Sequence, residues 1–304
     1  MIQKSFLRKC IDQRHYFVLC VPFLLLVLVF NYFPIWGWLM AFKDYSPRWG
    51  LWDSPWVGLK HFEELFNSYL FHRAFRNSLF ISLIRIGLGF TTAIGLALML
   101  NEVRFVLFKR IVQTISYLPY FISWVVAASI VYLTLSPTGI INDILLRLGL
   151  VENSIAFMGE PNYFYGIMGI SHIWKNVGFN AIIYLAAMTA IDPTLYEAAD
   201  VDGASRLRKI FSITLPSIAP TIKILFILAI GTLMATSFEH AYLLSNPSNI
   251  SASQTIEIYV FSFALRGGRF SYGTAVGIFN SVIAITLIMI SNAISKRIDG
   301  YGLF

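Results

Sequence analysis

The chain has 304 residues, of which 57% are hydrophobic and 13% charged, and it carries a formal net charge of +7. Soluble domains are typically about 45–50% apolar and about 25% charged, so this composition excludes an ordinary water-soluble domain and a disordered chain. Two cysteines are too few for a disulfide-rich scaffold. The composition indicates an integral membrane protein, in which an excess of Lys and Arg belongs in cytoplasmic loops.

Six apolar stretches are long enough to cross a bilayer, which needs roughly 20 residues of helix. None of them alternates as the strands of an outer-membrane barrel do, so each is predicted to be a helix. The predicted spans are 17–40, 77–100, 110–135, 163–190, 217–238 and 271–294. The sequence therefore predicts an all-α polytopic membrane protein, with an N-terminal tail at 1–16 and a single transmembrane domain at 17–304.

The first span and the segment after it carry aromatic residues at membrane-interface positions. The apolar run is too long for a signal peptide and no A-x-A-like site follows it, so we expect a retained anchor. Beyond it, a loop rich in proline, glycine and tryptophan precedes a short amphipathic helix predicted around 60–71. This segment fits either a surface on which another protein docks or an aromatic belt at the lipid headgroups.

The distribution of Lys and Arg predicts the orientation in the membrane. The two terminal tails and the segments near 101–110 and 191–216 hold 12 basic residues in about 61 positions, whereas the other loops hold 8 in about 95. The denser set is expected to be cytoplasmic, which places both termini inside the cell. Three basic residues lie within predicted spans: Arg85, Lys175 and Lys223. Lys223 is near enough to the membrane surface to extend its ammonium group to it, whereas Arg85 and Lys175 are deeper.

The segment 191–216 is predicted to form two short helices joined at a glycine. Asp192 followed by Pro193 is typical of a helix N-cap with proline at the first helical position. Gly203 allows a turn with positive φ before a second short helix, and Pro216 begins the next span. Such a compact projection could fit a cleft on another protein, or it could be an amphipathic segment lying on the membrane.

This segment resembles the EAA motif of binding-protein-dependent ABC importer permeases, E-A-A-x-x-D-G-A followed after five residues by F-x-x-I-x-L-P. Ile210 departs from the motif, because phenylalanine is usual there and Phe211 comes one place later. Three further stretches, 42–45, 56–59 and 113–119, are similar to the subgroup that imports oligosaccharides or polysaccharide fragments. The nine matching positions are Glu197, Ala198, Ala199, Asp202, Gly203, Ala204, Ile213, Leu215 and Pro216.

The resemblance implies the type I ABC importer permease fold and a transport subunit without catalytic residues. It implies a second homologous permease subunit, two separate ATPase subunits that hold ATP and Mg, and an extracytoplasmic solute-binding protein. It also implies that a coupling helix around Glu197–Ala204 lies in a groove of an ATPase, and that this chain needs no cofactor of its own. We call 191–216 the coupling loop below.

Polar and aromatic side chains within the spans are candidates for the substrate path, because polar groups that face lipid are costly. Asn176, Asn180 and Tyr184 recur every four residues and share one face of a helix. Tyr120 and Trp124 are the candidates in the third predicted span. A membrane asparagine is also a common contact between helices, so each position has a structural alternative.

Several chemistries have no motif in this sequence. Five scattered histidines form no H-E-x-x-H pair, and neither a G-x-S-x-G elbow nor a Walker A loop occurs. The predicted spans contain no aspartate, and Glu239 lies just beyond the fifth, which disfavours but does not exclude an ion-coupled secondary sugar carrier. A membrane enzyme acting on lipid-linked sugars would need clustered carboxylates or metal ligands at the membrane surface, and the acidic residues cluster only in the coupling loop.

Overall fold

The computed structural model describes residues 14–235 and 237–299, and most of the predicted tail 1–16 lies outside them. The described residues are helical, without a β-strand, and a lone β-bridge pairs Lys43 with Trp56. The predicted all-α class is therefore confirmed. The α-helices are α1 (Arg14–Val27), α2 (Gly50–Asp53), α3 (Lys60–Asn67), α4 (Tyr69–Glu102), α5 (Val106–Tyr117), α6 (Trp124–Leu135), α7 (Ile140–Arg147), α8 (Pro161–Thr189), α9 (Pro193–Val201), α10 (Arg206–Lys209), α11 (Leu215–Gly231), α12 (Phe238–Leu244), α13 (Ile250–Ser253), α14 (Ile256–Tyr259) and α15 (Phe270–Asp299).

Short 3₁₀ and π segments continue several of these helices. After α1 the chain runs through a π turn and then a 3₁₀ helix with Pro34 in its first turn. A second 3₁₀ turn follows α5, and π turns precede α11 and follow α14. These segments are Leu28–Tyr32, Phe33–Phe42, Leu118–Phe121, Ile210–Thr214 and Val260–Leu265.

The described part of the chain contains five helical stretches that are long and apolar enough to cross a membrane. Helices α8 and α9 form a further candidate if they count as one span bent by 72°, which makes up to six. The five stretches are Arg14–Phe42, Tyr69–Glu102, Trp124–Arg147, Arg206–Gly231 and Phe270–Arg297.

Two predicted spans have different boundaries in the structure. The stretch 110–135 is interrupted between α5 and α6. Pro119 lies in this break and has no amide hydrogen to donate. The Ser123 hydroxyl then accepts a hydrogen bond from the Val126 amide and starts a new helix. The stretch 217–238 is helical only to Gly231, beyond which Thr232 caps the helix. Both differences leave non-helical backbone within predicted spans, and such backbone is tolerated where it is buried in protein or lines a cavity.

The described residues divide into two compact units, 14–67 with 263–279 and 68–262 (without 236) with 280–299. In the first unit Phe42 stacks on Trp56 with ring centroids 5.7 Å apart, and Arg269 forms an ion pair with Glu64. In addition, the Tyr45 amide donates to the Ser271 hydroxyl at 2.9 Å. The Arg269–Glu64 and Tyr45–Ser271 contacts join the two chain segments of the unit.

The second unit is organised by α4 packing along α8. Ala93, Ala97 and Leu100 on α4 share a buried cluster with Ala181 and Leu185 on α8. Small residues permit this close approach, which is a common way for helices to associate within a membrane.

A glycine sets the distance between α8 and α5. A Cβ added at Gly178 would lie 2.2 Å from the backbone of Ser116, so no larger residue fits while the two helices stay in place. Gly166 on the same helix is not restricted in this way, since a Cβ added there would have no neighbour within 4 Å.

Candidate functional site

The coupling loop starts as its sequence predicts. Asp192 caps α9, with its carboxylate accepting the Thr194 amide at 2.9 Å and Pro193 at the first helical position. This hydrogen bond to the charged form lowers the pKa of Asp192 below its usual 3.8. The helix start is therefore stabilised by an ionised, exposed carboxylate.

The turn at Gly203 is a Schellman motif. The Ala204 amide donates to the Ala199 carbonyl at 2.9 Å, and the Gly203 amide donates to Asp200 at 3.1 Å. Gly203 has φ +72°, which confirms the predicted positive φ, and an added Cβ would meet no atom within 4 Å. Glycine is favoured here by backbone conformation rather than by lack of space.

Two side-chain contacts close the coupling loop on itself. The Tyr196 hydroxyl on α9 lies 2.9 Å from the Thr214 hydroxyl at the foot of α11. Lys209 forms an ion pair with Asp200 and is mostly buried. Lys209 is thereby directed toward the loop itself, whereas Arg206 and Arg208 are exposed. Both contacts connect α9 to the residues that lead into α11.

The residues of the EAA motif lie on two faces of this loop. Glu197, Ala198, Asp202 and Gly203 are exposed, and Val201 is 89% exposed at the end of α9.

The other face borders a hollow of about 410 Å³. Ala199 and Ala204 are half-buried and line it, together with Asp202 and two basic residues, Arg208 and Lys209. Two small side chains of the motif thus form part of the lining, and Glu197 is not among the lining residues.

A second concavity of about 460 Å³ lies among α4, α8, α11 and the segment that follows α11. We call it the Arg85 cavity. Its volume falls within the roughly 300–1,000 Å³ usual for small-molecule sites. Its wall combines charged, hydroxyl, amide and aromatic groups with aliphatic ones. It is lined by Arg85, Ile86, Gly89, Phe90, Ala93, His172, Asn180, Ile183, Tyr184, Leu225, Ala229, Thr232, Ala235, Ser237 and Glu257.

The predicted path residues do not all lie at this cavity. Asn180 and Tyr184 line it, with Tyr184 also buried against the α4 cluster. Asn176 lies one turn away and its amide donates to the carbonyl of His172 at 2.9 Å, within the same helix. Tyr120 stacks on Phe179 with ring centroids 3.9 Å apart, outside the lining. For these positions a substrate contact stays a prediction.

Trp124 and Tyr120 instead surround the buried Lys175. The Lys175 ammonium lies 5.3 Å and 5.5 Å from the centroids of these two rings. It also donates to three backbone carbonyls, those of Pro119, Tyr120 and Ile122, at 2.7–3.3 Å. These carbonyls lie at the break between α5 and α6, where the Pro119 carbonyl also accepts the Ile122 amide at 3.3 Å. Lys175 thus satisfies the exposed backbone of the break, and the rings shield its charge.

Sequence reasoning did not place Glu257 at the cavity. Glu257 lies in a predicted external loop, and the fold brings it to a wall shared with Arg85 and His172. Arg85 was marked only by its position inside a span, without a predicted partner. In the structure its guanidinium donates to the Thr232 carbonyl at 3.2 Å, where α11 ends early. Nothing local to position 257 indicates this, because Arg85 and Glu257 are 172 positions apart in the chain.

Metal ligands do not cluster in the described residues, where no three His, Cys, Asp or Glu side chains could hold an ion together. The site is instead a cavity between helices and an ordered loop below them. The two parts share elements, because the coupling loop joins α8 to α11 and both of these helices line the Arg85 cavity.

Comparisons with known proteins agree with this arrangement. Residues 85–300 match the family model described as "Binding-protein-dependent transport system inner membrane component". The chain is 40% identical over 303 residues to the polygalacturonan/rhamnogalacturonan transport system permease protein YteP of Bacillus subtilis, which covers 99% of this chain and 94% of that protein.

Two solved structures are similar along nearly the whole chain. One is a crystal structure of a bacterial ABC transporter involved in import of the acidic polysaccharide alginate, with TM-score 0.89, 39% identity and coverage of 96% and 98% of the two chains. The other is a bacterial alginate ABC transporter in complex with a periplasmic protein that binds alginate pentasaccharide, with TM-score 0.90, 38% identity and coverage of 98% and 99%.

These matches confirm the predicted type I importer fold and support a transport subunit rather than an enzyme. They give no support to the alternative of an ion-coupled carrier. Together with the helical fold and the ordered loop between α8 and α11, they show that this chain belongs to the family of binding-protein-dependent transport system inner-membrane components, the permease subunits of ABC importers.

Proposed function

We propose that this permease subunit passes an oligosaccharide or polysaccharide fragment across the bacterial cell membrane through the Arg85 cavity. The observation that carries the proposal is the direct connection of this cavity to the coupling loop through α8 and α11. The similar proteins named for polygalacturonan, rhamnogalacturonan and alginate support the substrate class. In this proposal an extracytoplasmic solute-binding protein delivers the sugar, and both termini of the chain are cytoplasmic.

The chemistry of the cavity suits a sugar. Asn180, Tyr184, Thr232 and Ser237 offer groups that can exchange hydrogen bonds with hydroxyls, and Phe90 adds an aromatic face. Aliphatic side chains form the rest of the wall, so the polar groups can fix orientation without holding the sugar too tightly to leave. A homologous second permease subunit would complete the path from the other side.

The coupling loop is proposed as the contact with the ATPase. Val201 and the exposed face of α9 would enter a groove on that subunit, where Glu197 could meet a basic group. Fully burying a valine side chain there would contribute about 1.5–3 kcal/mol to the docked state. Two ATPase subunits, each holding ATP and Mg, would draw the coupling loops of two permeases together. The closed Tyr196–Thr214 contact would then pass that movement to α11.

Reconstitution tests the transport function. The chain is placed in proteoliposomes with its partner permease, ATPase subunits and binding protein, and uptake of a labelled oligosaccharide is measured with and without ATP. ATP should drive uptake, and an ionophore that collapses ion gradients should leave it unchanged. Uptake by this chain alone, lost on adding the ionophore, would contradict the proposal.

Single cysteines test the docking contact and the orientation. In a chain with Cys10 and Cys20 replaced by serine, Ala198→Cys should crosslink to a cysteine in the ATPase groove. Glu152→Cys, equally exposed in another loop, is the matched control and should not crosslink. A membrane-impermeant maleimide should reach Ala198→Cys only from the cytoplasmic side and Glu152→Cys only from the opposite side. Labelling of both from one side would refute the orientation.

A further inference from the structure

Arg85 is the basic side chain in the wall of the Arg85 cavity, and it comes from the middle of the membrane-spanning helix α4. A guanidinium at membrane depth is costly, so its retention there calls for a specific partner. The described contact is a single backbone carbonyl, that of Thr232, at 3.2 Å. A guanidinium carries five N–H donors in a planar fork, and one carbonyl acceptor does not occupy that fork.

Lys175, in the same unit, is a cation with a structural role and can be compared with Arg85. Its ammonium donates to three carbonyls. The residue as a whole is 5% exposed and is not part of the cavity lining. Arg85 is less buried, has one carbonyl partner and faces an open volume of about 460 Å³. The two cations therefore have different roles, the first within the protein and the second toward the cavity.

Glu257 gives the cavity wall a second charge. Its carboxylate lines the same volume and interacts electrostatically with the Arg85 guanidinium. This attraction offsets part of the cost of the cation while the cavity is empty. A ligand carboxylate would compete with Glu257 for Arg85, and Glu257 would then be available as an acceptor for ligand hydroxyls.

We propose that the Arg85 cavity selects sugars that carry a carboxylate, that is uronic-acid units, and that Arg85 binds this carboxylate through two parallel hydrogen bonds. Arginine matches the geometry of a carboxylate in this way, whereas lysine offers only a point charge. Asn180 and Tyr184 lie on the same wall and would contact the ring hydroxyls common to acidic and neutral sugars. The inference rests on the proposed function and specifies its substrate class.

The test compares trigalacturonate with its carboxyl-reduced, neutral counterpart on the assembled transporter without binding protein. Ala235→Cys, a lining position in a chain free of Cys10 and Cys20, is labelled with a thiol reagent, and protection by each sugar gives its apparent affinity. We expect the acidic sugar to protect about tenfold better, the size of one charge-assisted contact.

Three variants should change the ratio of the apparent affinities for the acidic and the neutral sugar, two of them downward and one upward. Arg85→Gln should bring the ratio to about one, Arg85→Lys should retain part of it, and Glu257→Gln should raise it because the competing carboxylate is gone. Arg147→Gln removes an exposed positive charge elsewhere and should leave the ratio unchanged. Equal protection by both sugars, no protection by either, or a ratio insensitive to Arg85 and Glu257 would overturn the inference.

Uptake measured in parallel separates this inference from the proposed function. If ATP drives import but the cavity shows no preference for the acidic over the neutral sugar, only the inferred charge selection is overturned. Failure of the complete wild-type transporter to import any oligosaccharide would overturn the proposed function, and the inference with it. Basal ATP hydrolysis by each variant shows that the complex is assembled.

Discussion

Replacing Gly203 with alanine should weaken the link between ATP hydrolysis and transport through backbone strain alone. The residue has φ +72°, and an added methyl group would meet no atom within 4 Å. The cost is therefore that of the left-handed conformation, about 1–2 kcal/mol. Such an energy shifts the balance between the native turn and alternatives by a factor of about 5–30. The Schellman motif would loosen and α9 would lose its fixed orientation.

Gly149 provides a closely matched control. It follows α7 in the same motif, with the Leu150 amide donating to Leu145 and its own amide donating to Leu146, each at 3.0 Å. Its φ is +65°, and an added Cβ would again have no neighbour within 4 Å. Alanine at either position should thus cost the same stability, and only the position in the coupling loop should affect coupling.

The assay measures sugar imported per ATP hydrolysed in proteoliposomes, together with the melting temperature of each purified complex. Both variants should lower the melting temperature by a similar amount, and only Gly203→Ala should lower the transport ratio. Gly203→Pro should abolish transport, since proline fixes φ near −65°. An unchanged ratio in Gly203→Ala, or an equal fall in Gly149→Ala, would refute the reasoning.

Three further predictions follow from individual contacts. Tyr196→Phe removes the hydroxyl that is hydrogen-bonded to Thr214 and should raise the amount of ATP hydrolysed per sugar imported. Adding Thr214→Val should not raise this amount beyond that of either single variant, because both changes remove the same contact. Gly178→Ala should destabilise the chain by about 1–3 kcal/mol or more, because the added methyl group would clash with the backbone of α5. The measurement is the melting temperature, which should fall for Gly178→Ala and not for Gly166→Ala on the same helix. The lowered pKa of Asp192 means that its cap is intact well above its usual 3.8 and is lost as pH falls through the lowered value. The protection of the first α9 amides, that is their exchange rate relative to the intrinsic rate at the same pH, should therefore fall in acid, and Asp192→Asn, which keeps a cap, should hold it constant. Wild-type protection that does not change as pH falls would contradict the prediction.

The coupling loop could be predicted well because its signals are local. An Asp-Pro pair starts a helix, and a glycine two positions after the last helical residue ends it, so both limits of α9 are determined within a few residues. The closing contacts were less accessible to sequence reasoning. The Tyr196–Thr214 hydrogen bond spans 18 positions and requires the full path of the turn.

The cavity could be predicted only in part because it depends on packing between distant segments. Asn180 and Tyr184 follow from the periodicity of α8, but the same periodicity also selects Asn176, whose amide is used within its own helix. The break at Pro119 had a visible signal in the proline itself. Its consequence has no signal in the sequence, namely that three carbonyls at the break accept hydrogen bonds from the Lys175 ammonium.

In the proposed function, the placement of the coupling loop between α8 and α11 would allow one small element to act on the cavity. Tyr184 is five residues before the end of α8 at Thr189, about 8 Å along the helix, and Leu225 is about 16 Å beyond Thr214. Because Tyr196 joins the loop to the base of α11, a displacement of α9 reaches both walls of the cavity together. The early end of α11 then matters, since the carbonyl freed at Thr232 is the one that holds Arg85. A shift of α11 would therefore change the position of the guanidinium as well as the width of the cavity, and the affinity for a bound carboxylate would change with the state of the ATPase.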